Sequence, residues 1–288
     1  MNQRNTLHVE DAKILARQSY PGDQFVIRLL APKTAAKALA GSFVHIRCDR
    51  QIPMRRPLSI MRCNPQDGWI ELLYKAFGEG TRLLSQQAVG TSVSLIGPIG
   101  RPFSPDRSKT KPLLLGGGVG IPPMIFLADQ LRRTTAEPLV LMGSEVPFPF
   151  QARPSEILVD GIPDGVIAAM PLLEDWHVAS RLSSLQGYPG CFEGYITDLA
   201  RHWLEHLNPE TRLSVEIFAC GPHPMLEAVA HLAAEYHLPC QVSLEEFMAC
   251  AVGGCAGCTV LVNTVNGPAM KRVCVDGPVF DAATVFQC

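Results

Sequence analysis

Pro112-Leu113-Leu114-Leu115-Gly116-Gly117-Gly118-Val119-Gly120-Ile121-Pro122-Pro123-Met124 is the stretch on which the fold turns. Its first residues are uniformly apolar, without period-two alternation, as in a strand buried on both faces. Glycines follow, and then a run to Arg133 that reads as a helix. Pro122 falls in the first helical turn, where its missing N–H costs nothing. Strand, glycine turn and helix start together form the setting of a nucleotide-phosphate loop, because free helical N–H groups face an anion there. The motif is not a literal G-x-G-x-x-G, since Ile121 stands at the last glycine. A plain glycine-rich turn is the alternative, and the context favours Gly117, Gly118, Gly120 and Pro122 as nucleotide-binding residues.

Towards the C-terminus, strands are expected at Leu139 to Met142, Val166 to Met170 and Ser214 to Ala219, with helices around Tyr195 to Leu207 and Pro222 to His237. This βαβ order calls for a parallel sheet covered on both faces. Cys220-Gly221-Pro222-His223-Pro224-Met225 ends a strand and starts a helix at the carboxyl edge, where α/β sheets bind ligands. Alone, Cys220 reads as a small buried residue. Gly143-Ser144-Glu145 ends another strand and could meet a ribose; no arginine follows closely, which leans towards NAD over NADP. His202 and His206 share a helix face with no third ligand nearby, and the adjacent Glu174 and Asp175 read as a solvated loop.

Towards the N-terminus, Arg101 to Pro112 carries three prolines and reads as a linker or edge. Before it lie short strands: Gln24 to Leu30, the alternating Val44, Ile46 and Cys48, Pro57 to Cys63, Trp69 to Phe77 and Ser92 to Ile96, with Asp67-Gly68 as a hairpin turn. That spacing suggests a small antiparallel barrel. Arg56-Pro57-Leu58-Ser59 opens one strand, so an arginine and a hydroxyl can face a diphosphate from a rigid element. Leu73-Tyr74-Lys75 and Gly78-Glu79-Gly80-Thr81 follow, the latter opening a short helix over Thr81 to Gln87. Together they read as a cradle for an isoalloxazine and a pyrophosphate; separately each is ordinary turn chemistry.

Ten cysteines are unevenly spread along the 288 residues. Cys250, Cys255 and Cys258 have C-x4-C-x2-C spacing and Cys274 follows, the plant-type order for a [2Fe–2S] cluster. One tight loop can carry three thiolates and a neighbouring segment the fourth, while Gly253, Gly254 and Gly257 let N–H groups face the cluster sulfurs. Zinc sites usually come as two close pairs, so the spacing favours iron–sulfur over zinc. Cys48, Cys63, Cys191, Cys240 and Cys288 show no pairing pattern. The first residues lack the apolar core of a signal peptide, so a cytoplasmic location with reduced thiols is expected. Net charge is −2, with no basic stripe for nucleic acid. The longest uncharged stretches are broken by Gly, Pro or Asn, which argues against a membrane span. Only 18% of residues are charged, against roughly 25% in an average soluble domain. Cofactors or a partner covering surface would account for that.

Taken in order, these motifs resemble the electron-transfer subunits of class 1B dihydroorotate dehydrogenases, in the ferredoxin reductase-like superfamily. The stretch Lys271-Arg272-Val273-Cys274-Val275-Asp276-Gly277-Pro278-Val279-Phe280 is the most specific part. The resemblance implies α/β plus all-β architecture: an FAD-binding antiparallel β-barrel over 1–105, an NAD-binding α/β domain over 106–239 and a [2Fe-2S] region over 240–288. It implies that Arg56, Pro57, Leu58, Ser59, Leu73, Tyr74, Lys75, Gly80 and Thr81 hold FAD. Gly117, Gly118, Gly120, Pro122, Cys220, Gly221, Pro222 and Met225 would flank NAD, and Cys250, Cys255, Cys258 and Cys274 would ligate the cluster. It further implies an FMN-containing catalytic subunit as partner in a heterotetramer, with electrons from dihydroorotate crossing cluster and FAD to NAD. No acid–base pair for dihydroorotate itself is found in this chain. Two departures stand out: Leu58 where superfamily reductases often have an aromatic residue, and Ala251 where the family usually has glycine. A reductase subunit serving a hydrogenase, a ferredoxin or a sulfur reductase is the alternative within enzymes. A zinc-stabilised binding module without redox activity is the alternative outside them.

Overall fold

Alternating apolar residues and β-branched content build six strands in the first hundred residues: β1 His8–Tyr20, β2 Gln24–Leu30, β3 Phe43–Ile46, β4 Arg56–Asn64, β5 Trp69–Lys75 and β6 Ser92–Ile99. In the computed structural model, which describes residues 7–287, they close into a barrel of order β1-β2-β5-β4-β3-β6 with every neighbour antiparallel. Ile14, Ile27, Leu29, Ile46, Ile60, Ile70, Leu72 and Leu95 fill it and are fully buried. β1 extends through thirteen residues that the sequence pattern left unassigned, because Glu10, Lys13 and Arg17 interrupt its apolar content. The alternation around Val44 suggested one wet face. Instead all four residues of β3 are buried, His45 included, with the Met248 backbone beside its ring. Burial holds that imidazole below its usual range.

The later strands are β7 Lys111–Gly117, β8 Leu139–Gly143, β9 Arg153–Pro154, β10 Ala168–Ala169, β11 Ala179–Ser183, β12 Val215–Cys220, β13 Cys240–Ser243, β14 Thr259–Thr264, β15 Gly267–Arg272 and β16 Val279–Asp281. Six of them form a sheet of order β11-β8-β7-β12-β13-β16, whose first five strands are mutually parallel. The chain runs outward from β7 through β8 to β11 and then returns to β12 on the other side. β7 and β12 therefore flank the point where strand order reverses, the crevice position of open α/β sheets.

Two expectations are corrected here. Val166 to Met170 is not a strand of this sheet; only Ala168–Ala169 pairs, antiparallel to Arg153–Pro154, with Gly165 at φ 82° before it and Pro171 opening a helix after it. The outer strand is β11, disguised by Ser180, Arg181 and Ser183, which are polar yet buried. Most of their polar atoms find partners elsewhere in the chain: the Met170 N–H donates to Ser180 Oγ at 3.1 Å, Arg181 Nη2 donates to Ile157 O at 2.7 Å, and Ser183 Oγ donates to Gly194 O at 2.6 Å, while Arg181 Nε has none. Nor is Glu174 solvated. It is buried and accepts from Ser155 Oγ at 2.6 Å, while Asp175 pairs with Arg153.

Two compact units result. One comprises the barrel to Pro102 together with Leu244–Val279; the other comprises Phe103–Ser243 and Phe280–Cys288. Phe103, from the proline-rich stretch, is buried edge-on against Phe218 of β12. Among the described residues no helix is long and apolar enough to cross a membrane.

Candidate functional site

The cysteine loop is shaped by left-handed backbone at Ala251, Gly253 and Ala256, with φ of 57°, 86° and 53°. β14 and β15 follow as a hairpin in which Thr259 faces Arg272, so the chain returns to its starting point before the short helix Val273–Asp276 presents Cys274. The Val273 N–H donates to Cys258 O at 2.9 Å and closes this return. The four sulfurs stand as two pairs. Cys250 stands beside the Cys255 thiol, and Cys274 beside the Cys258 thiol. Among the described residues no three or more His, Cys, Asp or Glu side chains are grouped to hold one ion. Burial pushes the Cys250 thiol up, but the N–H groups of Cys255, Val252 and Gly254 together with the Cys255 thiol outweigh it and bring it to about 6. Burial and the neighbouring Cys258 push Cys274 up to about 12. Two sulfur pairs, with backbone N–H groups facing both (Val252, Gly254 and Cys255 at Cys250, Gly253 at Cys274), fit a cluster in which each iron takes two thiolates. None of the described cysteines forms a disulfide, and Cys288 lies outside the described residues.

Arg272 is a residue that sequence reasoning missed. Its Nη1 donates to Gly253 O at 3.0 Å, and its Nε lies 3.6 Å from Asp276 Oδ2. A basic residue two positions before the fourth cysteine was the only signal for it.

On the barrel, the helix expected over Thr81 to Gln87 spans Glu79–Gln86, two residues earlier at its start. Thr81 hydroxyl is engaged at the cap: it donates to Gly78 O at 3.1 Å and accepts from the Gly78 N–H at 3.3 Å. A Cβ on Gly80 would lie 3.2 Å from Arg56 Nε, so the guanidinium rests directly on the start of this helix. Arg56 Nη1 donates to the carbonyls of Met54 and Arg55, which fixes the group in place. A positive fork against free helical N–H groups fits a phosphate oxygen. Pro57, Leu58 and Ser59 follow on β4, partly exposed. On β5, Leu73 and Tyr74 are buried and Lys75 partly exposed; the Tyr74 ring stacks on Phe25 at 5.7 Å. Tyr74 Oη has no hydrogen-bond partner, and burial raises its pKa above the normal range. A buried hydroxyl left unanswered by protein fits a strand that lines a cofactor.

In the parallel sheet, the two glycine turns meet. Gly116 of β7 pairs with Cys220 of β12. A Cβ on Gly120 would lie 2.2 Å from Cys220 O, and one on Gly117 would lie 2.4 Å from Met225 Sδ. Gly118, at φ 53°, has nothing near it and leaves its backbone open. Pro122 is in the first turn of the helix Ile121–Leu131; Pro222 precedes the helix His223–Glu235, and Gly221 is packed under Met225. Two helix starts therefore converge on the carboxyl edge at the switch point, an arrangement suited to a dinucleotide. Ser144 hydroxyl is engaged with Val146 O at 2.7 Å. His202 packs edge-on against Phe192 and His206 lies under Gly161, so neither histidine forms a site.

Residues 245–286 match the family described as the iron–sulfur cluster binding domain of dihydroorotate dehydrogenase B. A protein of Desulforamulus reducens, named "Dihydroorotate dehydrogenase B (NAD(+)), electron transfer subunit", is 32% identical over 274 residues, covering 94% of this chain and 96% of that one. A protein of the same name from Shouchella clausii is 32% identical over 252 residues, 85% of each chain. Among solved structures, an NADH-dependent reduced ferredoxin-NADP oxidoreductase superposes with a TM-score of 0.75 at 24% identity, over 96% of this chain and 90% of the other. A ferredoxin reductase of carbazole 1,9a-dioxygenase gives 0.62 at 22% identity, over 81% and 67%, so both share the fold. With sequence identity of that degree along almost the whole of both chains, this protein belongs to the family of electron transfer subunits of dihydroorotate dehydrogenase B (NAD(+)).

Proposed function

We propose that this chain passes electrons between an FMN-containing dihydroorotate dehydrogenase catalytic subunit and NAD, in the cytoplasm, as part of a heterotetramer. Bound here, a [2Fe–2S] cluster exchanges single electrons, a nicotinamide exchanges hydride, and FAD converts between the two. The observation that carries the reading is the pairing of Cys250 with Cys255 and of Cys258 with Cys274 on one loop and its returning helix.

The chain's own residues bind, orient and shield. Arg56, fixed by the Met54 and Arg55 carbonyls over Gly80, neutralises a pyrophosphate at the Glu79–Gln86 helix. Pro57, Leu58 and Ser59 on β4, with Leu73, Tyr74 and Lys75 on β5, orient the flavin; Thr81 keeps its helix start in place through Gly78. Gly117, Gly118, Gly120 and Pro122 seat a dinucleotide phosphate against backbone, opposite Cys220, Gly221, Pro222 and Met225.

The test is purification with bound partners, a visible spectrum, and dye reduction by NADH and by NADPH. Flavin and iron–sulfur absorbance, an FMN protein in the complex and preference for NADH are expected. Replacing Cys255 with Ser should remove the cluster absorbance and leave FAD. A colourless protein holding zinc overturns the reading; reduction by NADPH alone overturns the nucleotide choice.

A further inference from the structure

Besides the cysteine sulfurs, three contacts hold the returning helix to the cysteine loop. The Val273 N–H secures the Cys258 end. Val275 packs where a side chain on Gly253 would stand, 2.4 Å from a Cβ built there. Arg272 reaches the same end through its hydrogen bond to Gly253 O. Gly253 lies between Cys250 and Cys255, so whatever fixes its carbonyl fixes the placement of that sulfur pair relative to Cys258 and Cys274.

Resting on the cluster reading above, we propose that Arg272 is a positioning residue for the iron–sulfur site, clamping the Gly253 carbonyl to the helix that carries Cys274. Asp276 sets the clamp. One carboxylate oxygen accepts the Arg272 backbone N–H at 2.9 Å and faces the guanidinium Nε at 3.6 Å. The planar fork of arginine serves both partners at once, which a lysine ammonium on its flexible stem cannot do. The hydrogen bond is charge-assisted and partly shielded, since the Arg272 side chain is 41% exposed. Outer-shell groups of this kind keep ligands in register and tune the metal centre. The fixed guanidinium charge beside the loop also favours the more negative, reduced form of a bound cluster.

The experiment uses the full chain with its partner, as wild type, Arg272→Ala, Arg272→Lys, Asp276→Asn and Cys255→Ser. Readouts are iron per chain, the electron paramagnetic resonance spectrum of the reduced protein, and the rate of iron release to bipyridyl; FAD content reports on the fold. Arg272→Ala should release iron roughly tenfold faster or more, with a changed spectrum and FAD retained. Arg272→Lys and Asp276→Asn should fall between it and wild type. Iron release and spectra that match wild type in Arg272→Ala overturn the clamp while the cluster reading stands. Should Arg272→Ala take up no iron, the other two variants decide: faster release supports the clamp and unchanged release overturns it. A wild-type chain without an iron–sulfur spectrum, indistinguishable from Cys255→Ser, overturns both.

Discussion

Within the loop, Ala251 and Gly253 have the same kind of backbone and opposite surroundings. Both have positive φ, a region that costs an L-residue about 1–2 kcal/mol. Ala251 bears that cost, with its side chain buried in the loop. Gly253 has no room for a side chain, because a Cβ would stand 2.4 Å from Val275 Cγ2. The two substitutions should therefore diverge. Ala251→Gly relieves strain but adds about 0.5–1 kcal/mol of unfolded-state freedom, so stability should rise by no more than about 1.5 kcal/mol and iron content should hold. Gly253→Ala forces the loop away from the Cys274 helix and should lower iron per chain while FAD content stays. Iron and flavin analysis of the two purified variants is the check; equal iron in both would mean the loop is not held as described.

At the scale of elements, legibility followed periodicity. β7 and its helix could be read from one stretch because a fully apolar strand, a glycine turn and a helical run succeed one another without interruption. β11 could not, since Ser180, Arg181 and Ser183 owe their burial to partners as distant in sequence as Ile157 and Gly194. The hairpin β14–β15 was hidden for the opposite reason: Leu261 and Met270 face each other yet are more than half exposed, so no buried stripe marks it. The glycine motifs were legible as turns, but their mutual contact was not, because it depends on the parallel pairing of β7 with β12. Gly120 tests that contact. A methyl there would press on the Cys220 carbonyl, a backbone atom that cannot step aside. In Gly120→Ala the KM for NADH should rise about tenfold, roughly 1.4 kcal/mol, with flavin and cluster absorbance unchanged. Steady-state dye reduction reads it, and an unchanged KM would separate this turn from nucleotide binding.

At the scale of the whole chain, the sequence after Ser243 serves both compact units. Leu244–Val279 groups with the barrel, whereas Phe280–Cys288 groups with the parallel sheet, where Phe286 packs against His223 with ring centroids 5.2 Å apart. The cysteine spacing made this region conspicuous, but spacing says nothing about which surfaces bury Met248, Val262, Val273 and Val279. A hairpin of two strands with Leu261 and Met270 exposed is marginal in water, and about 50 residues seldom fold without help. A fragment spanning 240–288 should therefore not reproduce the site, although all four cysteines are present in it. After anaerobic supply of iron and sulfide, it should show less than half the iron per chain of the whole protein and no cooperative thermal transition. Two irons per fragment, with the spectrum of the full chain, would show that the loop and its hairpin suffice and that the barrel contributes nothing to holding them.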